Sequence, residues 1–394
     1  MTMDPALAPL FQPLTLGGVT LRNRFAMPAM QIGFTERCGP SPRMIDYLRE
    51  RAEGGVGLVF SESCAPDHPS AYWQESFCVL NAATRAGWGA AIAGVKQAGS
   101  AFVMQLWHPG AQRVPVAGFA HADADTISPS GLIAGDRANG RAMSAAEMDD
   151  LAAAFVAAAA QARALGADGV ELHAAHGYLL DQFLWHETNR REDGTGGAEV
   201  AARARYPMQL AQAIRAECGP DFLISLRFSQ FKEVDYGARV FATPEELAQF
   251  GALARAAGID MLNVSSRSFT RPEWPELDPA LGMAGWTRRQ TGLPVMTTGS
   301  VGLSSDVFAD LFDGHDPALQ LAADLVELAR RMAAGEFDLV GVGRMHIANP
   351  DFVNRIAAGD LAALRVYNKA VDLKHLFEKI VPGLVEEGRK IEDV

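Results

Sequence analysis

The stretch SAAEMDDLAAAFVAAAAQARALGADGVELHAAHGYLL, residues 144–180, indicates one helix followed by one strand. Ser144 and Glu147 form the capping-box pattern that begins a helix, and the alanine-rich segment after them ends near Gly166. The run Asp168–His173 that follows has the length and composition of a buried strand. The stretch therefore predicts one helix–strand unit of an α/β fold.

Short β-rich runs of this kind recur along the chain, separated by helical patterns, and most are apolar on consecutive positions, as in parallel strands covered on both faces. The runs are Arg24–Met27, Gly57–Ser61, Phe102–Leu106, Asp168–His173, Phe222–Phe228, Asp260–Val264, Pro294–Thr298 and Asp338–Gly341. Ser41-Pro42 and Thr243-Pro244 each offer an N-cap followed by a proline at the first helical position. This alternation predicts a single (β/α)8 TIM barrel over residues 1–360. A doubly wound open sheet is the structural alternative, and the eightfold count of runs argues against it.

Two segments exceed a minimal barrel. Residues 107–143, after the third strand, are rich in Gly, Pro and Asp and predict a long loop that covers the active site. Residues 361–394 predict a C-terminal helical tail, amphipathic in part, which packs on the barrel or on a neighbouring subunit.

Composition narrows the class of protein. The net charge of −12 makes nucleic acid an unfavourable partner, because the phosphate backbone repels an acidic surface. The 4 cysteines form no C-x-x-C pair, so neither a zinc ribbon nor a cysteine-ligated cluster is indicated, and we expect no metal. No signal-peptide pattern and no apolar run of membrane-spanning length is visible, so we expect a cytoplasmic protein without a membrane partner.

Glycines follow both of the last two predicted strands. They occur in Thr298-Gly299-Ser300-Val301-Gly302 and in Gly341-Val342-Gly343-Arg344. Backbone N–H groups at glycines approach a phosphate closely, and in barrels of this kind a phosphate often lies between the last two loops. Glycines also end strands for purely local reasons, but their occurrence in both loops favours a cofactor that carries a phosphate.

The fourth strand leads into His173, His176, Gly177 and Tyr178. Residues three apart on an ideal strand face opposite sides, so the two imidazoles converge only if the chain bends into a loop there. Two N–H donors at one point would stabilise a developing oxyanion, and Tyr178 would be a nearby proton donor. The competing interpretations are structural histidines or a partial metal site, which lacks a clear third ligand.

Further side chains at predicted strand ends suit a flavin. Arg227 lies in an apolar run, and a buried guanidinium needs an anion such as a reduced flavin, unless it faces outward to an ion pair. The Gln105 amide can both donate to and accept from a pyrimidine edge. Arg267 and Trp286 lie in loops that we expect to border the mouth, where Arg267 meets a carboxylate, a phosphate or only solvent.

Together these residues resemble the Old Yellow Enzyme family of FMN-dependent ene-reductases. The resemblance covers roughly residues 8–360 and is carried by QLWHPG at 105–110, HAAHGYLLDQFLWHETNRREDGTGG at 173–197, LRFS at 226–229, TTGSVG at 297–302 and GVGRMHIANP at 341–350. Within the family, these motifs are most similar to those of the branch that contains the N-terminal barrel of 2,4-dienoyl-CoA reductases. The iron–sulfur cysteines and second flavin domain of that branch are not expected here, since no cysteine follows Cys218.

The resemblance implies FMN as cofactor and NADH or NADPH as hydride donor. It implies that the flavin ring contacts backbone at Ala29 and Ser63 and the side chains of Gln105 and Arg227, and that the phosphate is held by Gly299, Ser300, Gly343 and Arg344. It implies that His173 and His176 bind the substrate carbonyl and that Tyr178 protonates the α-carbon. Gln31 stands where the family usually has a Cys or Thr beside the flavin O4, although its amide could still donate there.

The function expected from the resemblance is reduction of the activated C=C bond of small enone-type substrates, by an enzyme that is commonly a homo-oligomer. A rival is a flavoenzyme of the same fold that catalyses dehydrogenation, isomerisation or demethylation, and Gln31 keeps it open. A non-catalytic flavin-binding barrel is a further alternative, but the His173, His176 and Tyr178 set argues against it, because binding alone needs no proton donor.

Overall fold

The computed structural model describes residues 2–306 and 317–376 of the chain. Its central sheet has ten strands, of which the short strands Cys64–Pro66 and Cys78–Leu80 lie outside the barrel. The other eight are parallel and form the barrel: β1 (Phe25–Met27), β2 (Leu58–Phe60), β3 (Ala101–Leu106), β4 (Gly169–His176), β5 (Leu223–Lys232), β6 (Met261–Ser265), β7 (Val295–Thr298) and β8 (Leu339–Gly341). Each strand pairs with the next along the chain, and β8 pairs with β1. The sheet is therefore a closed barrel, which confirms the predicted (β/α)8 fold.

Helices surround this barrel. They are α1 (Pro42–Glu53), α2 (Arg85–Gln97), α3 (Ala145–Ala164), α4 (Leu179–Leu184), α5 (Val200–Cys218), α6 (Pro244–Ala256), α7 (Met283–Thr291), α8 (Leu321–Ala333), α9 (Arg344–Ala348), α10 (Phe352–Ala357) and α11 (Lys369–Asp372). The predicted helix starts are confirmed. Ser41 and Thr243 cap α1 and α6, and Ser144 forms the complete capping box with Glu147 at the start of α3.

The barrel interior changes in polarity along its axis. Its lower part, toward the amino ends of the strands, is an apolar cluster formed by Ala26, Leu58, Phe60, Val103, Leu223, Met261, Met296 and Leu339. The hairpin of strands Leu14–Leu16 and Val19–Leu21 adds Leu16 and Leu21 to this cluster and closes that end. Toward the carboxyl ends, the buried side chains of Gln105, Glu171 and Asn263 are polar and hydrogen-bonded to one another. Polar side chains buried inside a barrel mouth mark that end as the functional one.

The two segments beyond the minimal barrel are each anchored by a few buried side chains. In residues 107–143, the Arg113 guanidinium is buried and donates to the carbonyl oxygens of Tyr72, His121 and Ala124. In the tail, Leu364, Tyr367 and Leu373 are buried, and a Cβ added at Gly33 would lie 2.6 Å from Leu376 N. The described tail thus packs beside the segment that follows β1, whereas residues 377–394 lie outside the described residues. The domain boundary at residue 360 and the subunit contact stay predictions.

A membrane anchor was not expected from the sequence. In residues 2–306 and 317–376, none of the helices combines the length and the apolar character that a membrane crossing requires.

Candidate active site

Three side chains from the end of β4 and the turn that follows it come together at the mouth of the barrel. The rings of His173 and His176 lie 5.2 Å apart, and those of His173 and Tyr178 lie 5.3 Å apart. The sequence predicted this convergence through a loop, but β4 continues to His176. A register shift between Ala174 and His176, with His176 at a left-handed φ of 65°, turns the second imidazole toward the first. The bend is therefore a bulge within the strand, a feature often found beside active sites.

A buried ion pair holds this bulge. Lys232 Nζ lies 2.7 Å from Asp181 Oδ2, and both side chains have 0% exposure. Asp181 Oδ2 also accepts a hydrogen bond from Gly177 N, and Lys232 pairs with His176 across β4 and β5. The ion pair therefore ties the turn between His176 and Tyr178 to the end of β5, which was predicted to end four residues earlier.

Both histidines are held neutral. Burial lowers the pKa of His173 and of His176 well below the usual value, and the positive charge of Arg227 lowers them further. Ser265 Oγ accepts a hydrogen bond from Arg227 Nη2 and lies 2.8 Å from His176 Nε2. Ser265 Oγ can donate its hydrogen to Nε2, and in that tautomer Nδ1 carries the N–H of His176. Neutral imidazoles of this kind donate a hydrogen bond to a carbonyl oxygen without transferring a full charge.

Glu233 is a site residue that the sequence analysis missed. Tyr178 Oη donates to Glu233 Oε2 at 3.1 Å, and Glu233 Oε1 lies 4.0 Å from His176 Nδ1. Burial raises the pKa of Glu233 to about 7, against the opposing effects of the Tyr178 hydrogen bond and Arg227. Burial also raises the pKa of Tyr178, and the Glu233 charge adds to that shift. No motif pointed to Glu233, because β5 was predicted to end at Phe228.

Beneath the histidines, one carboxylate organises a polar layer. Glu171 is fully buried and accepts hydrogen bonds from Gln105 Nε2, Ser225 Oγ and Asn263 Nδ2, each at 2.8 Å. Burial raises the pKa of Glu171, while Arg227 and these donors favour its ionised form. Gln105 Oε1 in turn accepts from Ser63 Oγ. The Gln105 amide therefore has a fixed orientation at the position predicted to meet the flavin ring.

Some buried polar atoms at this mouth have no hydrogen-bond partner among residues 2–306 and 317–376. They include Arg227 Nε, His173 Nδ1 and Gln31 Nε2. The Arg227 Nη1 atom reaches only Ala29 O, at 3.4 Å. Buried donors without partners are costly, and a bound molecule with carbonyl and ring-nitrogen acceptors would satisfy them. A flavin's pyrimidine edge is such a molecule, so the residues present fit the flavin that the sequence implies.

The residues predicted to hold the flavin phosphate also come together. Arg344 Nη2 donates to Ser305 O and lies 3.5 Å from Ser300 Oγ, whose hydroxyl is 2.6 Å from Arg267 O and 3.2 Å from Ser305 O. A Cβ at Gly299 would lie 2.3 Å from Ser266 O, and one at Gly343 would lie 2.9 Å from Met30 Sδ. The contacts of Arg344 with Ser300 and Ser305 bring the loops after β7 and β8 together, and the backbone at Ser266 leaves room only for a glycine at 299. Their contact with a phosphate stays a prediction.

The two expected substrate residues differ in their placement. Arg267 follows β6 and forms an ion pair with Asp306, with Nη2 and Oδ2 2.6 Å apart. Trp286 was expected in a loop, and this is wrong. It lies buried in α7, with its ring 5.3 Å from that of Trp274 and beneath the Arg289 guanidinium. The interpretation failed because the residues from Met283 onward form a helix whose first turns bury Trp286.

Aromatic rings extend from the site in two directions. In one direction the Trp107 ring contacts that of Tyr178, with centroids 5.3 Å apart. In the other, the Phe231 ring stacks on that of His176, with centroids 5.4 Å apart. Beyond Trp107, the ring of Phe77 lies nearly parallel to those of Trp107 and Trp73, with its centroid 5.0 Å and 4.9 Å from theirs. One side of the mouth is therefore an apolar wall, suited to a flat hydrophobic body.

Comparisons with known proteins agree on one family. Residues 9–306 match the model of the NADH:flavin oxidoreductase / NADH oxidase family. The NADH oxidase of Thermoanaerobacter brockii is 30% identical over 364 residues, which cover 89% of this chain and 51% of that protein. The 12-oxophytodienoate reductase 2 of Arabidopsis thaliana is 27% identical, with 92% of this chain and 91% of that protein covered. The chain therefore spans about half of the first relative and most of the second.

A solved structure extends this comparison to the fold. The Old Yellow Enzyme from Pichia sp. AKU4542 has a TM-score of 0.74 and 22% identity to this chain, covering 93% of this chain and 90% of that one. At that identity the likeness concerns the fold alone. The finer expectation, the 2,4-dienoyl-CoA reductase branch, stays a prediction.

The buried ion pair gives a prediction about stability. In an Asp181→Asn variant the Lys232 ammonium loses its carboxylate inside the protein, so we expect the free energy of unfolding to fall by about 3–5 kcal/mol. Urea denaturation measures this change. The control is Asp46→Asn, which breaks an exposed pair with Arg49 and should cost less than about 1 kcal/mol. Equal losses in the two variants would contradict the assigned role of the buried pair.

Proposed function

The chain belongs to the NADH:flavin oxidoreductase / NADH oxidase family, the family of Old Yellow Enzyme, and we propose that it reduces the activated C=C bond of α,β-unsaturated carbonyl compounds. FMN is its cofactor and NADH or NADPH its hydride donor. The single observation that carries the proposal is the convergence of two neutral histidines and a tyrosine on one point of the barrel mouth. A flavin-binding barrel without catalysis has no need of this set.

One set of residues would hold the cofactor, and another would bind the substrate. Gln105 and Arg227 would contact the flavin ring, together with backbone at Ala29 and Ser63, and the loops with Gly299 and Gly343 would hold its phosphate. When bound, FMN supplies the hydride that it has received from the nicotinamide. The buried positive charge of Arg227 stabilises a negative charge on the ring, because the surrounding interior screens it poorly.

On the substrate side, His173 and His176 bind the carbonyl oxygen by donating hydrogen bonds. As hydride reaches the β-carbon, negative charge moves to that oxygen, and both bonds become stronger. Tyr178 lies against His173 and donates its phenolic proton to the α-carbon. The product gains one hydride and one proton, so the C=C bond is reduced and the carbonyl is retained.

Glu233 supplies the route by which Tyr178 recovers its proton. Its carboxylate accepts the Tyr178 hydrogen bond, and 36% of its side chain is exposed, so it connects the phenol to solvent. Burial raises its pKa to about 7, so it can release and take up a proton near neutral pH and return one to Tyr178 after each turnover.

Gln31 bears on the rival chemistry. Its Nε2 is buried and has no partner within the described part of the chain, so it is a donor available to a bound ring. A donor at this position would change the redox potential of the flavin and leave in place the two histidines that bind the carbonyl oxygen. The rival reactions of dehydrogenation, isomerisation or demethylation would use the same barrel and cofactor. Ene-reduction is distinguished from them by whether an enone reoxidises the reduced flavin.

The test of the proposed function is an anaerobic stopped-flow experiment on the FMN-loaded protein. We expect NADH or NADPH to bleach the flavin absorbance and 2-cyclohexenone to restore it, because the histidines stabilise the enolate that hydride transfer creates. Bleaching without recovery would keep the cofactor and assign the chemistry to the rival reactions. An absence of bleaching by either nicotinamide would contradict the proposal as a whole.

A Tyr178→Phe variant separates the two half-reactions. It retains the ring that packs on Trp107 and loses only the hydroxyl, so we expect reoxidation by 2-cyclohexenone to slow by about 10²-fold or more. Flavin reduction by the nicotinamide needs no proton from Tyr178 and should change little. Stopped-flow rates for each half-reaction measure the difference, and equal losses in both would show that Tyr178 has another role.

A Glu233→Gln variant tests the proton route. Because its pKa is raised to about 7, wild-type Glu233 is protonated below that pH and loses its proton above it. The rate of flavin reoxidation should therefore fall as pH rises through about 7 in the wild type, and this inflection should be absent in the variant. Retention of the inflection after the substitution would assign it to another group.

A further inference from the structure

A second cavity adjoins the histidines, on the side opposite the aromatic wall. It has a volume of about 430 Å³ and lies between the loops that follow β5 and β6. Phe231 and Ser265 form the edge that it shares with the site, since Phe231 stacks on His176 and Ser265 Oγ lies 2.8 Å from His176 Nε2. A ligand held at the histidines can therefore extend into this cavity.

The cavity is lined by three arginines and one carboxylate, namely Arg239, Arg267, Arg271 and Glu273. This is a local excess of positive charge in a chain whose net charge is −12. Two of the arginines have carboxylate partners: Arg239 pairs with Glu273 at 2.8 Å, and Arg267 pairs with Asp306. These pairs fix the positions of their guanidinium groups.

Arg271 differs from the other two. Its side chain is exposed and shares no hydrogen bond or ion pair with a residue in 2–306 or 317–376, and its charge acts on Glu273 at longer range, where burial raises the pKa of that carboxyl and Arg239 and Arg271 oppose the shift. Glu273 Oε1 is already engaged by Arg239 Nη1 and, at 3.3 Å, by Gln230 Nε2. The donors of Arg271 are thus available to a ligand in the cavity, and they would form charge-assisted hydrogen bonds with a carboxylate or a phosphate.

We propose that this cavity binds an anionic group, a carboxylate or a phosphate ester, carried by the molecule that lies at the histidines, with Arg271 as its main contact and Arg267 beside it. The inference rests on the proposed function and names the substrate class of the same site. Substrates would be amphipathic: the histidines bind the carbonyl, and a flat conjugated body passes the edge formed by Phe231 and Ser265 and carries the anion into the cavity. The diphosphate of the nicotinamide has the same chemistry and is the other source of such a group.

Two matched pairs of ligands distinguish the sources. Cinnamaldehyde and 4-carboxycinnamaldehyde differ by one carboxylate, and dihydronicotinamide riboside and dihydronicotinamide mononucleotide differ by one phosphate. For the FMN-loaded enzyme, dissociation constants of the two aldehydes come from perturbation of the oxidised flavin spectrum, which requires no turnover. Those of the two nicotinamides come from the concentration dependence of flavin reduction.

We expect the preference for the anionic member of a pair to fall about tenfold in Arg271→Gln, a change of about 1.4 kcal/mol. The wild-type preference should weaken with added salt, because the contact is exposed to screening. The matched control is Arg163→Gln, which removes the same charge from an exposed arginine beside Ala167 and Asp168, before the start of β4 and thus at the opposite end of the barrel. This control should leave both preferences unchanged.

Each outcome has one meaning. A fall confined to the aldehydes assigns the cavity to the oxidising substrate, and a fall confined to the nicotinamides assigns it to the diphosphate. No fall in either pair overturns the inference. Failure of both aldehydes to reoxidise the reduced flavin would instead contradict the proposed ene-reduction, and the dissociation constants would still decide whether an anion binds beside Arg271.

Discussion

The buried carboxylate of Glu171 is the constraint on which the rest of the site depends. A charge at the centre of a barrel is tolerated only when donors surround it, and here the donors come from three neighbouring strands, through Gln105, Ser225 and Asn263. These bonds set the relative positions of β3, β4, β5 and β6 in the layer just below the mouth. They also orient the Gln105 amide and hold the Glu171 carboxylate near Arg227. The negative charge of this carboxylate offsets part of the cost of burying the guanidinium. Replacing Glu171 by an apolar residue would free these donors at the level where the flavin ring is expected.

Above this layer, the site depends on one irregularity in β4. The bulge at His176 would be unfavourable alone, because a side chain at a left-handed φ is strained. The Asp181–Lys232 pair and the Gly177 hydrogen bond over-determine the turn, so the strain is held by contacts that lie outside the site. The same geometry buries the imidazoles near Arg227, and burial first and the Arg227 charge second lower their pKa and keep them neutral. Fold, strain and protonation state are therefore linked through one segment of the chain.

Sequence patterns predicted the eight strands, the capped helices and the end of the barrel that holds the site, because these follow from local hydrophobicity, capping chemistry and strand order. The residues that they missed depend on tertiary contacts. Glu233 follows an extension of β5 that the Lys232–Asp181 pair stabilises. The two partners are 51 residues apart in the chain, so no local sequence pattern predicts their contact. Trp286 was misplaced because its helix begins in a segment with no N-cap side chain. The roles assigned to the flavin-contacting residues came from family resemblance rather than from spacing.

The mouth of the barrel is asymmetric, and this asymmetry has a chemical consequence. On the Trp107 side the stacked rings offer no hydrogen-bond acceptor, whereas on the Ser265 side arginines line a cavity. A flat conjugated carbonyl can lie over a flavin in two opposite orientations, and only one places its β-carbon and α-carbon correctly for hydride and proton. Two histidines on one oxygen reduce that choice, but a symmetric small ring could still pivot about the carbonyl. A second, charged anchor beyond the histidines would remove the pivot, so an anionic substituent on the substrate would act on orientation as well as on affinity.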